Sequence, residues 1–207
     1  SRRLGLDPAK TPLVVLPGSR SSEVERWLPV YKATLAELRE MGHQFDVLIP
    51  AVPHLRARIA EATADWPETV RITEGDEAKF AAFRLARAAL AASGTVTLQL
   101  GLAGTPMVVA YRVEGIAAHL RFLVKVPSVV LANLVLEENA FPEYLQEDCT
   151  PEKLAGALDL ILKETPERRA QLEALAKVDQ RMQLDTASPS ERAADVVMRY
   201  ASKLPNA

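Results

Sequence analysis

Short, mostly apolar runs alternate with longer amphipathic stretches along two thirds of this chain. That alternation limits the possible folds more than any other feature. The runs are residues 13–16, 45–49, 70–72, 88–92 and 107–110, with a further candidate at 128–131. A strand with one wet face alternates polar and apolar residues, whereas a strand covered on both faces can be apolar throughout. Between the runs, helical stretches are expected at about 22–41, 55–64, 77–86, 95–103 and 115–124. Within 23–41, Leu28, Tyr31, Leu35 and Leu38 recur at spacings of three and four, and Gly42 follows where a helix would end. Strand and helix in strict alternation imply a parallel, doubly wound α/β sheet.

After Thr150 only helical patterns remain. Thr150-Pro151-Glu152-Lys153 has the form of a helix start, an N-cap followed by proline at the first helical position. Two further helices are expected at about 166–181 and 190–202, separated by the turn "DTASPSE". The reading therefore divides the chain into a linker over 1–12, cut from a longer protein and without a signal peptide, a Rossmann-like domain over 13–150, and an all-helical extension over 151–207.

The bulk numbers narrow the function. A net charge of −2 argues against a general nucleic-acid binder. The single cysteine, Cys149, excludes an internal disulfide framework and a cysteine-rich metal site, and points to a reducing compartment. His43 and His54 have no partners at metal-ligand spacing, so no metal is expected. Residues 88–111 carry no charge and are long enough to span a bilayer. Ser93-Gly94-Thr95, Gln99, Gly101, Gly104 and Thr105-Pro106 divide that stretch into strand, loop, helix and strand, so a span is rejected.

In open α/β sheets, ligands bind at the carboxyl ends of the strands. Two loops there attract attention. "LPGSR", residues 16–20, joins the first strand to the first long helix, and it places Arg20 where a helix exposes its unpaired N–H groups. Ser93-Gly94-Thr95 ends another strand and opens another helix. Two helix N-termini facing one crevice suit a diphosphate. The chain has no G-x-G-x-x-G, no G-x-x-x-x-G-K-[ST] and no D-x-D, so neither a dinucleotide fingerprint, a P-loop nor a metal-bridged sugar nucleotide is indicated. No cofactor is expected. Arg20 and the helix dipoles would offset charge on a leaving diphosphate.

The motifs "LPGSR..E" at 16–23, "ASGT.TL" at 92–98, "TPMVV.YR" at 105–112, Asn133, and "P.YLQE.C.PEKL" at 142–154 together resemble the lipid-A-disaccharide synthase family. The resemblance covers nearly the whole chain and corresponds to the C-terminal, donor-binding half of a two-domain GT-B glycosyltransferase. It implies an inverting transfer from UDP-2,3-diacylglucosamine to 2,3-diacylglucosamine 1-phosphate, with UDP as the leaving group. It also implies a separate N-terminal domain that supplies the general base, cytoplasmic work at the inner-membrane surface of a Gram-negative bacterium, and a possible homodimer.

Carried over residue by residue, the donor site comprises Gly18, Ser19, Arg20 and Glu23 from the first loop and Ser93, Gly94 and Thr95 from the second. Gln99, Asn133 and Gln146 complete it, with Arg20 as the electrostatic catalytic group. Glu23 reads equally as a first-turn carboxylate favoured by the helix dipole, and Asn133 and Gln146 read also as loop residues satisfying backbone groups. Two positions depart from the family. Gln99 stands where a glutamate is usual, and it can accept a ribose hydrogen bond only without charge assistance. Ala132 stands where proline usually precedes the asparagine.

The segment 111–134 is basic and apolar. Ile116, Leu120, Leu123 and Val124 form one helical face, and Arg112, Arg121 and Lys125 carry charge. It reads as a core helix with snorkelling basic residues or as an interfacial patch for acyl chains and anionic head groups. Two other functions share the fold class: a UDP-sugar epimerase, and a non-catalytic nucleotide-sugar-binding or scaffolding module. Turnover after an N-terminal half is restored would separate the transferase from the module.

Overall fold

The computed structural model describes residues 5–112, 127–183 and 189–201. The expected helix over 115–124 and its lipid-facing reading lie outside the described residues. Six strands form one sheet, parallel throughout: β1 (Thr11–Leu16), β2 (Phe45–Pro50), β3 (Val70–Thr73), β4 (Ala88–Ala92), β5 (Met107–Tyr111) and β6 (Glu143–Leu145). Their order in the sheet is β3-β2-β1-β4-β5-β6. The helices are α1 (Ser21–Glu40), α2 (Arg56–Ala62), α3 (Asp76–Leu85), α4 (Val96–Ala103), α5 (Leu131–Leu136), α6 (Pro151–Leu162), α7 (Pro166–Met182) and α8 (Pro189–Ala201).

The two-residue period of a strand divides the core into two layers. Leu13 and Val15 of β1, Val47 and Ile49 of β2, and Leu90 of β4 face a layer built from α1, α2 and α6. Val14 and Leu16 of β1, Leu48 of β2, and Ala89 and Ala91 of β4 face the opposite layer, built from α3, α4, α5 and α7. Both faces are covered, which is why these strands carry almost no polar residues.

Two expectations need correction. Residues 6–12 are not a linker. Leu6 is buried in the second layer, the Asp7 amide donates to Asp46 Oδ2 at 2.8 Å, and Thr11 and Pro12 already belong to β1. Residues 128–131 are not a strand, because side chains take their backbone donors. The Val129 amide donates to Glu143 Oε2 (2.9 Å) and the Val130 amide to Ser128 Oγ (3.0 Å), and Leu131 begins α5. The sixth strand is instead β6, only three residues long.

Residues beyond 150 share the core with those before it. Leu154, Leu158 and Ile161 of α6 pack into the first layer, and Ala174, Leu175 and Val178 of α7 into the second. Gln171 of α7 acts as a one-residue strand. Its Oε1 accepts from the Met107 amide (2.8 Å) and its Nε2 donates to the Met107 carbonyl (3.1 Å), where β6 does not reach. Arg168, one turn earlier, donates to the carbonyls of Arg87 (2.9 Å) and Ile161 (2.6 Å). By contrast, α8 leaves Val196, Val197 and Met198 more than half exposed.

Candidate functional site

The strand order reverses between β1 and β4, whose following helices lie on opposite faces of the sheet. Such a switch point opens a crevice at the carboxyl ends of the strands. Here it is a cleft of about 470 Å³. Gly18, Ser19, Arg20 and Glu23 line it from the β1–α1 loop, and Ser93, Gly94, Thr95 and Gln99 from the β4–α4 loop and helix. Pro50, Val52 and Lys79 complete the wall beside β2 and α3.

The first loop is shaped by Glu23. Its Oε2 accepts from the amides of Ser19 (2.8 Å) and Arg20 (3.2 Å), and its Oε1 accepts from Arg20 Nη1 (2.8 Å). Arg20 is the N-cap of α1 in extended conformation, so the carboxylate three residues on satisfies donors that the helix leaves unpaired. Gly18 makes room for it. Its φ is +107°, and a Cβ there would lie 2.3 Å from Glu23 Oε2 and 2.6 Å from Glu23 Cβ. Arg20 keeps 78% of its side chain exposed, so the rest of its guanidinium faces the cleft and solvent.

The second loop is braced from behind. Ser93 Oγ donates to the Val129 carbonyl (2.7 Å). Thr97 Oγ1 donates to the Gly94 carbonyl (2.9 Å) and accepts from the Leu131 amide (3.2 Å). The Ser93 hydroxyl proton is thereby committed to the fold. A Cβ on Gly94 would meet no atom within 4 Å. Gln99 is half-buried in the cleft wall, and its side-chain amide makes no hydrogen bond among the described residues.

Asn133 and Gln146 lie elsewhere. Asn133 is 1% exposed, and its amide pairs with both backbone groups of Phe141, each at 2.9 Å, holding the turn before β6. That is the backbone-satisfying role. Gln146 sits at φ +52°, just beyond β6 and outside the cleft lining. Arg112 fixes its loop, donating to the carbonyls of Gln146 (3.2 Å) and Cys149 (2.9 Å) while its guanidinium lies 5.5 Å from the Trp27 ring centroid.

Cys149 is not a nucleophile. It is fully buried, burial pushes its thiol up, and Sγ donates to the Tyr144 carbonyl at 3.0 Å. Nearby Tyr31 is buried without a partner for its hydroxyl among the described residues, and burial raises its phenol well above the usual value. Neither residue lines the cleft. Among the described residues no cluster of His, Cys, Asp and Glu could hold a metal, and no helix is long and apolar enough to cross a membrane.

Lys79 is the charged cleft residue that sequence reasoning missed. The signal was available, since α3 follows β3 and its first turn lies at the same sheet edge.

Comparison with known proteins agrees with this architecture. The family model for lipid-A-disaccharide synthetase matches residues 1–197. A lipid-A-disaccharide synthase of Bradyrhizobium diazoefficiens is 51% identical over 192 residues, covering 92% of this chain and 49% of that protein. One from Rhodospirillum centenum is 41% identical over 203 residues, covering 98% and 51%. The chain thus spans about half the length of the curated relatives it matches. Among solved structures, WaaG, a glycosyltransferase involved in lipopolysaccharide biosynthesis, superposes with a TM-score of 0.57 at 19% identity, over 95% of this chain and 49% of that one. The spinosyn rhamnosyltransferase SpnG does so with 0.63 at 14% identity, over 95% and 47%. These distant neighbours share the fold, that of one half of a GT-B glycosyltransferase.

Proposed function

Because the chain belongs to the lipid-A-disaccharide synthetase family, we propose that it supplies the donor site of an inverting glycosyltransferase of lipid A synthesis. The donor is UDP-2,3-diacylglucosamine and the acceptor 2,3-diacylglucosamine 1-phosphate. The observation that carries this reading is the cleft at the switch point, where the arginine-bearing loop and the N-terminus of α4 meet. The amides of Gly94, Thr95 and Val96 have no acceptor among the described residues and are free for phosphate oxygens.

The chemistry is a single displacement. The acceptor's 6-hydroxyl oxygen bonds to the anomeric carbon as the bond from that carbon to the UDP oxygen breaks, and the hydroxyl proton passes to a general base. Glu23, the carboxylate in the cleft lining, is engaged by the loop amides and Arg20. The base is therefore assigned to the half of the family's fold that this chain does not span. Arg20 and the α4 amides stabilise the charge that grows on the departing diphosphate. Acylated substrates place this work at the inner-membrane surface, and the half-exposed apolar side of α8 is available to contact the other half.

Substituting Arg20 by alanine tests the reading. UDP binding, measured by calorimetry on this chain, should weaken. In a protein that carries both halves, kcat should fall about 10²-fold, as for loss of one preorganised donor to a developing anion. The melting transition should change little, because Arg20 is mostly exposed. Unchanged UDP affinity and turnover would reduce the loop to a turn.

A further inference from the structure

On the donor-site reading, the cleft must present positive charge to a diphosphate. The charged side chains in its lining, among the described residues, are Arg20, Glu23 and Lys79. Arg20 and Glu23 form an ion pair inside the cleft at 2.8 Å, so their charges largely cancel. The ammonium of Lys79 also has a carboxylate neighbour, Asp76 Oδ1 at 2.7 Å. Asp76, however, does not line the cleft and is 87% exposed, so water screens its charge. The Lys79 side chain is only 22% exposed and lies over the Phe80 ring, 5.1 Å from the centroid. The apolar wall beneath it keeps its field less screened than that of its partner.

We propose that Lys79 is a second cationic ligand of the donor, binding the diphosphate of a nucleoside diphosphate from the α3 side of the cleft. Arg20 alone cannot offset a diphosphate while it also serves Glu23. Lys79 supplies the net charge. Its ammonium sits on a flexible four-carbon stem, so it can leave Asp76 for a phosphate oxygen without moving α3. Asp76 then acts as a parking position that a more highly charged anion outcompetes.

The experiment is calorimetric titration of UDP into this chain and its Lys79→Met, Lys79→Arg, Asp76→Asn and Arg20→Ala variants, at several salt concentrations. K79M should bind UDP about tenfold more weakly, as for loss of one charge-assisted contact. Its affinity should also depend less on salt. K79R should retain most of the affinity. D76N should bind about two- to threefold more tightly, because the competing exposed partner is removed. A purely structural Lys79–Asp76 pair would move neither the salt dependence nor the D76N affinity. K79M binding UDP within about twofold of the parent, with the same salt dependence, would overturn the inference. If R20A weakens binding while K79M does not, only the role of Lys79 falls. If the parent chain binds no UDP at all, the donor-site reading falls and this inference with it.

Discussion

Replacing Gly18 by alanine should cost this protein more stability than the same change at Gly94, and the structure indicates by how much. Both glycines have positive φ, +107° and +150°, so alanine strains the backbone at either site, by about 1–3 kcal/mol. The unfolded-state benefit of replacing glycine is common to both and cancels in the comparison. The difference lies in what the new methyl meets. At position 94 it meets nothing within 4 Å. At position 18 it would lie 2.6 Å from Glu23 Cβ, an atom fixed to the helix backbone, so rotating the carboxylate away cannot relieve the clash. Glu23 must then give up its bonds to the Ser19 and Arg20 amides and to the Arg20 guanidinium. Loss of such a helix-capping carboxylate is worth about 1–2 kcal/mol. Urea unfolding of both variants is the assay, with the slope checked for constancy. G18A should be less stable than G94A by about 1–2 kcal/mol. G94A in turn should lose UDP binding out of proportion to its stability, because its methyl enters space that a ligand would use. Equal stabilities for the two variants would show that the Glu23 contacts contribute nothing to the fold.

Two further substitutions probe the attachment of the late helices. Gln171→Leu keeps the volume but strands the buried amide and carbonyl of Met107, and should cost about 2–4 kcal/mol in urea unfolding. Asp159 of α6 opposes burial with hydrogen bonds from Lys163 (2.5 Å) and His43 (2.6 Å), and its carboxyl lies below the usual carboxylate range. A depressed folded value means that its stabilisation is complete above the unfolded pKa and is lost as pH falls through the folded one. Asp159→Asn should therefore cost about 1 kcal/mol at neutral pH, and the gap to the parent should close as unfolding is measured below about pH 4.

Much of this protein was legible from local patterns. The runs at 13–16 and 88–92 are strands because nothing polar in them could face water, the run at 45–49 is one with Asp46 as its single polar residue, and the helix start at Thr150-Pro151 is a cap whose hydroxyl accepts from the Lys153 amide. The two loops at strand ends were recognisable because glycine followed by an exposed helix start is a short-range pattern, read within five residues. Tertiary structure alone decided everything that depends on partners distant in the chain. Residues 128–131 have strand composition, yet Glu143 takes a donor there before a neighbouring strand can. Residues 143–145 become a strand because β5 offers a free edge, although three residues are too few to show a period. Asn133 looked like a ligand residue until Phe141 closed on both ends of its amide. Glu23 was visible as an acidic residue near a helix start, but not as the acceptor that shapes the loop. Lys79 joined the cleft only when β1 came to lie between β2 and β4. A backbone propensity acts over a few residues and is written where it acts. A hydrogen bond or a cleft charge depends on which groups folding brings within a few ångströms, and the order of the strands determines that.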